Sequence, residues 1–153
     1  DRGSGAGVGA NTNLPLPSGC GHDAYLHAIQ RVALPLIRSF RPDIIIIANG
    51  LDASHVDPLG RMSCLSSTYA QMTSMIMAAA DEHCSGRVVA IHEGGYSEAY
   101  VPFCGHRVVE SLAGIESDLV DPFLPKFLEQ QPDAAQVAQQ CAAIDAMAAR
   151  LGL

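Results

Sequence analysis

The chain has 153 residues, with 9 Lys and Arg against 16 Asp and Glu and a formal net charge of −7. At 48% hydrophobic and 16% charged, it holds enough apolar surface to offset chain entropy, which excludes a disordered acidic tail; at roughly 150 residues per domain it makes one domain or part of a larger one. Its basic residues are scattered singly and form no stripe for tracking phosphates, and the acidic excess repels a polyanion, so nucleic acid is not expected as a direct partner.

The opening stretch, DRGSGAGVGANTNLPLPSGCG, places Gly3, Gly5, Gly7 and Gly9 at alternate positions and shows no apolar period before Leu14. It reads as a loop leading into a short extended piece. A start at Asp1 on such a loop is the start expected of a chain that begins inside a domain. From Asp23, a plausible N-cap, apolar residues recur at Leu26, Ile29, Ala33, Ile37 and Phe40, one face of a helix that Pro35 should kink and Pro42 should stop. The run DIIIIANG then supplies consecutive β-branched residues that are apolar on both faces, as in a parallel sheet with helices above and below. After the loop GLDASHVDPLGRM, Leu65, Tyr69, Met72, Ile76 and Ala79 repeat at helical spacing. A second strand, RVVAI, runs into HEGGYSEAYVPFCG and a helix through Val108, Val109 and Leu112. This is the α/β layer pattern, in which ligands bind at the carboxyl ends of strands.

The stretch DPFLPKFLEQQP, with three prolines, reads as a docked connector, and DAAQVAQQCAAIDAMAARLGL as an Ala-rich helix with a stripe at Val137, Cys141, Ile144, Ala148 and Leu151. Packing on its own domain is favoured over a homo-oligomer contact. Five cysteines in irregular spacing, with no CxxC pair, point to buried thiols in a reducing compartment. No apolar run reaches the ~20 residues needed to cross a bilayer and no basic then apolar leader opens the chain, so a cytoplasmic protein without a membrane partner is expected.

The two loops after the strands are where chemistry is expected. In the first, Asp52 follows a buried strand and serves equally well as a metal ligand or as the cap of the following turn. Asp57, directly before Pro58, starts a turn more readily than it holds a metal. In the second, Tyr96 after Gly94 and Gly95 either donates to a developing oxyanion or packs over the sheet edge. The glycine run lacks the strand and the Lys-Ser/Thr of a phosphate-binding loop. No GxSxG elbow marks a serine hydrolase.

Taken in order, NTNLPLPSG, FRPD, GLDASHVDPLGRM and EGGYSEAYVPFCG resemble the C-terminal half of the histone deacetylase and acetylpolyamine amidohydrolase family, closest to its bacterial class II-like members, over about Gly5 to Gly114. The resemblance implies an arginase/deacetylase-like α/β fold, a parallel sheet with helices on both faces. Residues 1–114 would form the C-terminal half of a catalytic domain, and 115–153 a connector and helix packed on it. It further implies zinc (Zn2+) as cofactor and hydrolysis of an acetyl group from a lysine peptide or an acetylpolyamine. Asp52 would ligate the zinc and Tyr96 would stabilise the oxyanion. Leu59 would line the substrate tunnel, and Gly94 and Gly95 would let the tyrosine loop move. His55 stands one position later than the histidine of related motifs and inherits no role. The family's Asp-x-His ligand motif and adjacent histidine pair are expected from the N-terminal half of the domain and not from this chain, which by itself is expected to be inactive. The rival readings are a non-catalytic deacetylase-like fragment acting as a binding or assembly module, and a manganese hydrolase of the arginase type, which would need several Asp-x-His or Asp-x-Asp clusters.

Overall fold

The computed structural model describes residues 2–153; Asp1, on which the expectation of a start inside a domain rests, lies outside the described residues. The first helix, α1 (His22–Ala28), starts behind Gly21 and not behind Asp23, which sits in its first turn. The reason is a distant partner: the His22 N–H donates to Gln131 Oε1 at 2.9 Å, so a side chain from the connector replaces a local cap. A π-helical turn, Ile29–Ala33, separates α1 from α2 (Leu34–Phe40). Pro35 has no N–H to give to the preceding turn, and the widened turn directly before it takes up the misfit without ending the helix.

The buried stripe of this helix is Ala24, Ala28 and Val32, while the Leu26, Ile29, Ala33 and Ile37 face is only half-buried and Phe40 is 79% exposed. Small residues are buried here because a second helix comes close. Ala24, Ala28 and Val32 share a core with Cys20 and with Ile144 and Ala148 of the last helix, α6 (Ala134–Leu151). That helix is capped by Asp133 and Gln136, each side chain accepting the other's backbone N–H at 2.9 Å.

Strands β1 (Ile45–Asn49) and β2 (Val88–His92) pair in parallel, with Ile45 opposite Val88 and Asn49 opposite His92. The crossover between them is α3 (Ser66–Cys84), and α4 (Val101–Ala113) packs along it. Ala90 packs against a core built of Leu51, Cys64, Leu65, Tyr69, Tyr100, Cys104, Val108 and Phe127. On the other face Ile44, Ile46, Val89 and Ile91 are exposed, Ile46 by 62%.

The connector contains a short helix, α5 (Leu124–Glu129), which its prolines concealed; Pro125 stands in the first turn, where its missing N–H costs nothing. Phe123 and Phe127 from this segment stack 5.7 Å apart, and Tyr100 meets Phe127 edge-on at 4.8 Å. All five thiols are free and four are buried. Burial pushes Cys104 up to about 12 and Cys64 well above the ordinary thiol range, which leaves both unreactive. Among the described residues no helix is long and apolar enough to cross a membrane.

Candidate functional site

The two strands end side by side, and the backbone pairing continues past them. Glu93 N–H donates to Asn49 C=O at 3.2 Å and Leu51 N–H to Gly94 C=O at 2.7 Å. The loops at residues 50–65 and 93–100 therefore leave the carboxyl end of the sheet in contact. Leu51, fully buried, anchors the first of them in the core.

Asp52 is the next residue, half-buried, with its carboxylate lodged between two glycines. A Cβ on Gly50 would lie 2.9 Å from Asp52 Oδ1, and one on Gly94 would collide with Oδ2. Gly94 therefore makes room for a carboxylate, a role distinct from loop mobility. Gly95 has φ +135°, and a Cβ there would stand 2.8 Å from Leu51 Cβ, so both glycines of the pair are required for close approach.

Asp57 is a different kind of carboxylate. It is 8% exposed, and its Oδ1 accepts the N–H groups of Leu59 and Gly60, each at 2.8 Å, the turn-starting role expected of an Asp before Pro. Its Oδ2 accepts the N–H of Tyr96 at 2.8 Å, a bond between residues 39 apart in sequence. Burial alone would raise its pKa, but the donors on Tyr96, Gly60 and Leu59 outweigh burial and hold the carboxyl below its usual range. No feature of the sequence announced the Tyr96 bond; DPLG shows the turn, but not what the second oxygen reaches.

Tyr96 itself is 53% exposed, and Leu59 70%. His55 turns to the connector: its Nε2 lies 2.9 Å from Gln130 Oε1 and its ring 4.7 Å from Phe127. Beneath the second loop, the buried Tyr100 hydroxyl accepts the Ser66 N–H at 2.9 Å, and Ser66 Oγ donates to Asp121 at 2.6 Å. These bonds fix the start of α3 against the start of α4.

The sequence does contain one Asp-x-His, against the expectation that it holds none: Asp81-Glu82-His83. It closes α3, next to the turn where β2 begins, so it sits at the opposite end of the sheet from Asp52. Among the described residues no group of three His, Cys, Asp or Glu side chains is placed to hold a metal. Asp52 offers a hard oxygen donor at the strand ends, enough for one ligand of a metal centre and not for a centre by itself.

The histone deacetylase domain family matches residues 1–112, and the chain belongs to that family. It is 50% identical over its whole length to a histone deacetylase-like amidohydrolase of Pseudomonas aeruginosa, of which it spans 40%. It is 34% identical over 88% of its length to a probable deacetylase of Archaeoglobus fulgidus, spanning 39% of that protein. Among solved structures, that of the histone deacetylase Clr3 superposes on 97% of the chain with a TM-score of 0.74 at 29% identity, using 23% of the Clr3 chain. The chain thus has the arginase/deacetylase-like α/β fold, and it spans about two-fifths of the Pseudomonas and Archaeoglobus relatives.

Proposed function

We propose that this chain carries one metal-ligating carboxylate, Asp52, and the oxyanion-stabilising hydroxyl, Tyr96, of a zinc-dependent deacetylase acting on acetylated lysine or polyamine side chains. The observation that carries this reading is the pairing of the loops. The Asp52 carboxylate and the Gly94-Gly95-Tyr96 turn are packed against each other at the carboxyl end of two parallel strands, where α/β enzymes bind their ligands. Its relatives named as deacetylases and amidohydrolases support the same reaction class.

A zinc ion held by Asp52 together with ligands from outside this chain would polarise an acyl carbonyl and lower the pKa of a bound water. The chain's own residues do the rest of what is assigned to them here. The Asp52 carboxylate supplies negative charge at a position that Gly50 and Gly94 keep open. Tyr96, exposed and with its backbone pinned, presents a phenol O–H as a hydrogen-bond donor to an oxygen that gains charge in the transition state. Gly95, through its positive φ, lets the turn lie close enough to Leu51 for that donor to share the site with Asp52. Leu59, exposed beside the same loop, is assigned to the wall that meets the aliphatic part of the substrate. Residues 115–153 belong to the same domain in this reading, and the N-terminal half of that domain is the partner that completes the site. The free, buried thiols suit a reducing compartment such as the cytoplasm.

The test is zinc analysis and an acetyl-lysine peptide assay on the full-length protein and its Asp52→Asn variant. Turnover with about one zinc per wild-type molecule, and loss of both in the variant, supports the assignment. A variant that keeps its zinc overturns the role of Asp52.

A further inference from the structure

The function proposed above gives Asp57 no chemical step, yet it is the only side chain hydrogen-bonded to the backbone of Tyr96 among the described residues. We infer that Asp57 is a positioning residue that clamps the tyrosine loop to the Asp52 loop, and that its two-oxygen, acceptor-only carboxylate is what the clamp requires. The inference rests on the reading of Tyr96 as the oxyanion donor, and it names the device that holds that donor in place.

Three backbone N–H groups converge on one buried side chain. Two come from its own turn, Leu59 and Gly60, and the third from Tyr96 on the neighbouring loop, all at 2.8 Å. A carboxylate accepts at both oxygens, whereas an Asn amide accepts at one and donates at the other. With Asn at position 57, either Tyr96 or the Leu59 and Gly60 pair would face an NH2 group, donor against donor, in a site shielded from water. Charge-assisted bonds of this kind are also about twice as strong as neutral ones.

The position of Tyr96 depends on its backbone more than on its ring. The side chain is half exposed and so receives little from packing. Its backbone is set by Gly95, at φ +135° over Leu51, and by the bond from its own N–H to Asp57. Asp57 also closes the turn at Gly60, which lies so near the Asp52 carbonyl that a Cβ at Gly60 would collide with it. One carboxylate therefore joins the segment carrying the proposed ligand to the segment carrying the proposed donor. Displacements near 1 Å at a reacting group can lower rates by about 10²-fold.

The experiment uses the full-length protein with Asp57→Asn and Asp57→Ser. The serine hydroxyl can still cap the Leu59 and Gly60 turn but offers no second oxygen to Tyr96, which keeps the test alive where Asn disturbs the turn as well. Amide hydrogen exchange is expected to quicken about tenfold or more at Tyr96 in Asp57→Ser, and at Tyr96 or at Leu59 and Gly60 in Asp57→Asn, while the β1 and β2 amides stay protected. The kcat on an acetyl-lysine peptide should fall about 10- to 100-fold with KM within about threefold. In a Tyr96→Phe background the same Asp57 variants should lose little further, since a residue that acts through Tyr96 has nothing left to position. Unchanged exchange at Tyr96 in Asp57→Ser, or losses that add fully across the double variant, would overturn the inference. Should the wild type show no deacetylation, the functional reading falls, and exchange at Tyr96 in Asp57→Ser alone decides the clamp: faster upholds it, unchanged removes it.

Discussion

Residues 50–65 and 93–100 are tied to each other by backbone pairing, by the Asp57 carboxylate and by the fit of Asp52 between two glycines. The strands they leave present Ile44, Ile46, Val89 and Ile91 to solvent. The loops take most of their polar bonding from segments within this chain, with the buried Ser54 Oγ and His55 Nδ1 left without a partner, whereas the sheet has an apolar face that nothing among the described residues covers. Polar groups in a loop need partners at hydrogen-bond distance, and a short stretch of chain can supply them. An apolar sheet face needs a second layer, which takes another helix or strand pair. A chain that spans 40% of its Pseudomonas relative can accordingly have well-braced loops on a partly bare sheet.

The largest blow to the braced side falls at Tyr100. It is fully buried, in contact with Phe103, Phe123 and Phe127, and its hydroxyl accepts the first N–H of α3. Tyr100→Ala should destabilise the chain by about 3–5 kcal/mol through the cavity alone, with a further loss from the Ser66 N–H left without a partner. Urea denaturation of the wild type and variant measures it. A loss below about 1 kcal/mol would mean that the aromatic cluster does not hold the loops in place.

Tyr96→Phe separates bracing from chemistry. The removed hydroxyl is exposed and carries no structural bond, so folding stability should stay within about 0.5 kcal/mol while turnover of the full-length protein falls about 10²-fold. Near-normal turnover by the variant on an acetyl-lysine peptide would remove Tyr96 from the mechanism.

A smaller effect is expected from acid. The folded state holds the Asp57 carboxyl below its usual range, because the N–H groups of Tyr96, Gly60 and Leu59 outweigh burial. Its contribution to stability is therefore complete above the unfolded carboxylate pKa of about 3.9 and is lost as pH falls through the lower folded value. The stability gap between wild type and Asp57→Asn should be constant from neutral pH to about 5 and should narrow below about 4. A gap that does not change with pH would show that Asp57 is held no differently in the folded and unfolded states.

How much of this was legible in the sequence follows the same division. The strands, the long crossover helix and the two loops were visible because β-branched runs, helical spacing and Asp, Gly and Pro punctuation are local signals. Asp52, Tyr96 and the glycine pair could be singled out from their place after the strands. Features set by distant residues were hidden. Gln131 decides where α1 begins. The close approach of α6 makes Ala24 and Ala28 the buried face in place of Leu26 and Ile29. The bond from Tyr96 to Asp57 spans 39 residues and gives a motif residue a second partner that its spacing does not reveal. The prolines of the connector pointed to a loop because proline ends helices more often than it begins them, yet Pro125 stands in the first turn of α5.

The smallest expected effect tests the bare side of the comparison. Ile46 is 62% exposed on a face shared with Ile44, Val89 and Ile91, so in this chain its side chain gains little from burial. Ile46→Thr keeps a β-branched residue in the strand and changes only polarity, and should alter the stability of the isolated chain by no more than about 0.5 kcal/mol. Exposed apolar strand faces also promote association, so the variant should stay monomeric to a higher concentration in sedimentation experiments. In the full-length protein the expectation reverses. If additional chain covers this face, the same substitution places a hydroxyl against an apolar layer and should destabilise by about 1–3 kcal/mol. Equal, small effects in both would show that the face stays open in the whole protein, and the contrast between braced loops and an incomplete sheet would then be a permanent property of the fold, unrelated to the share of the domain this chain contains.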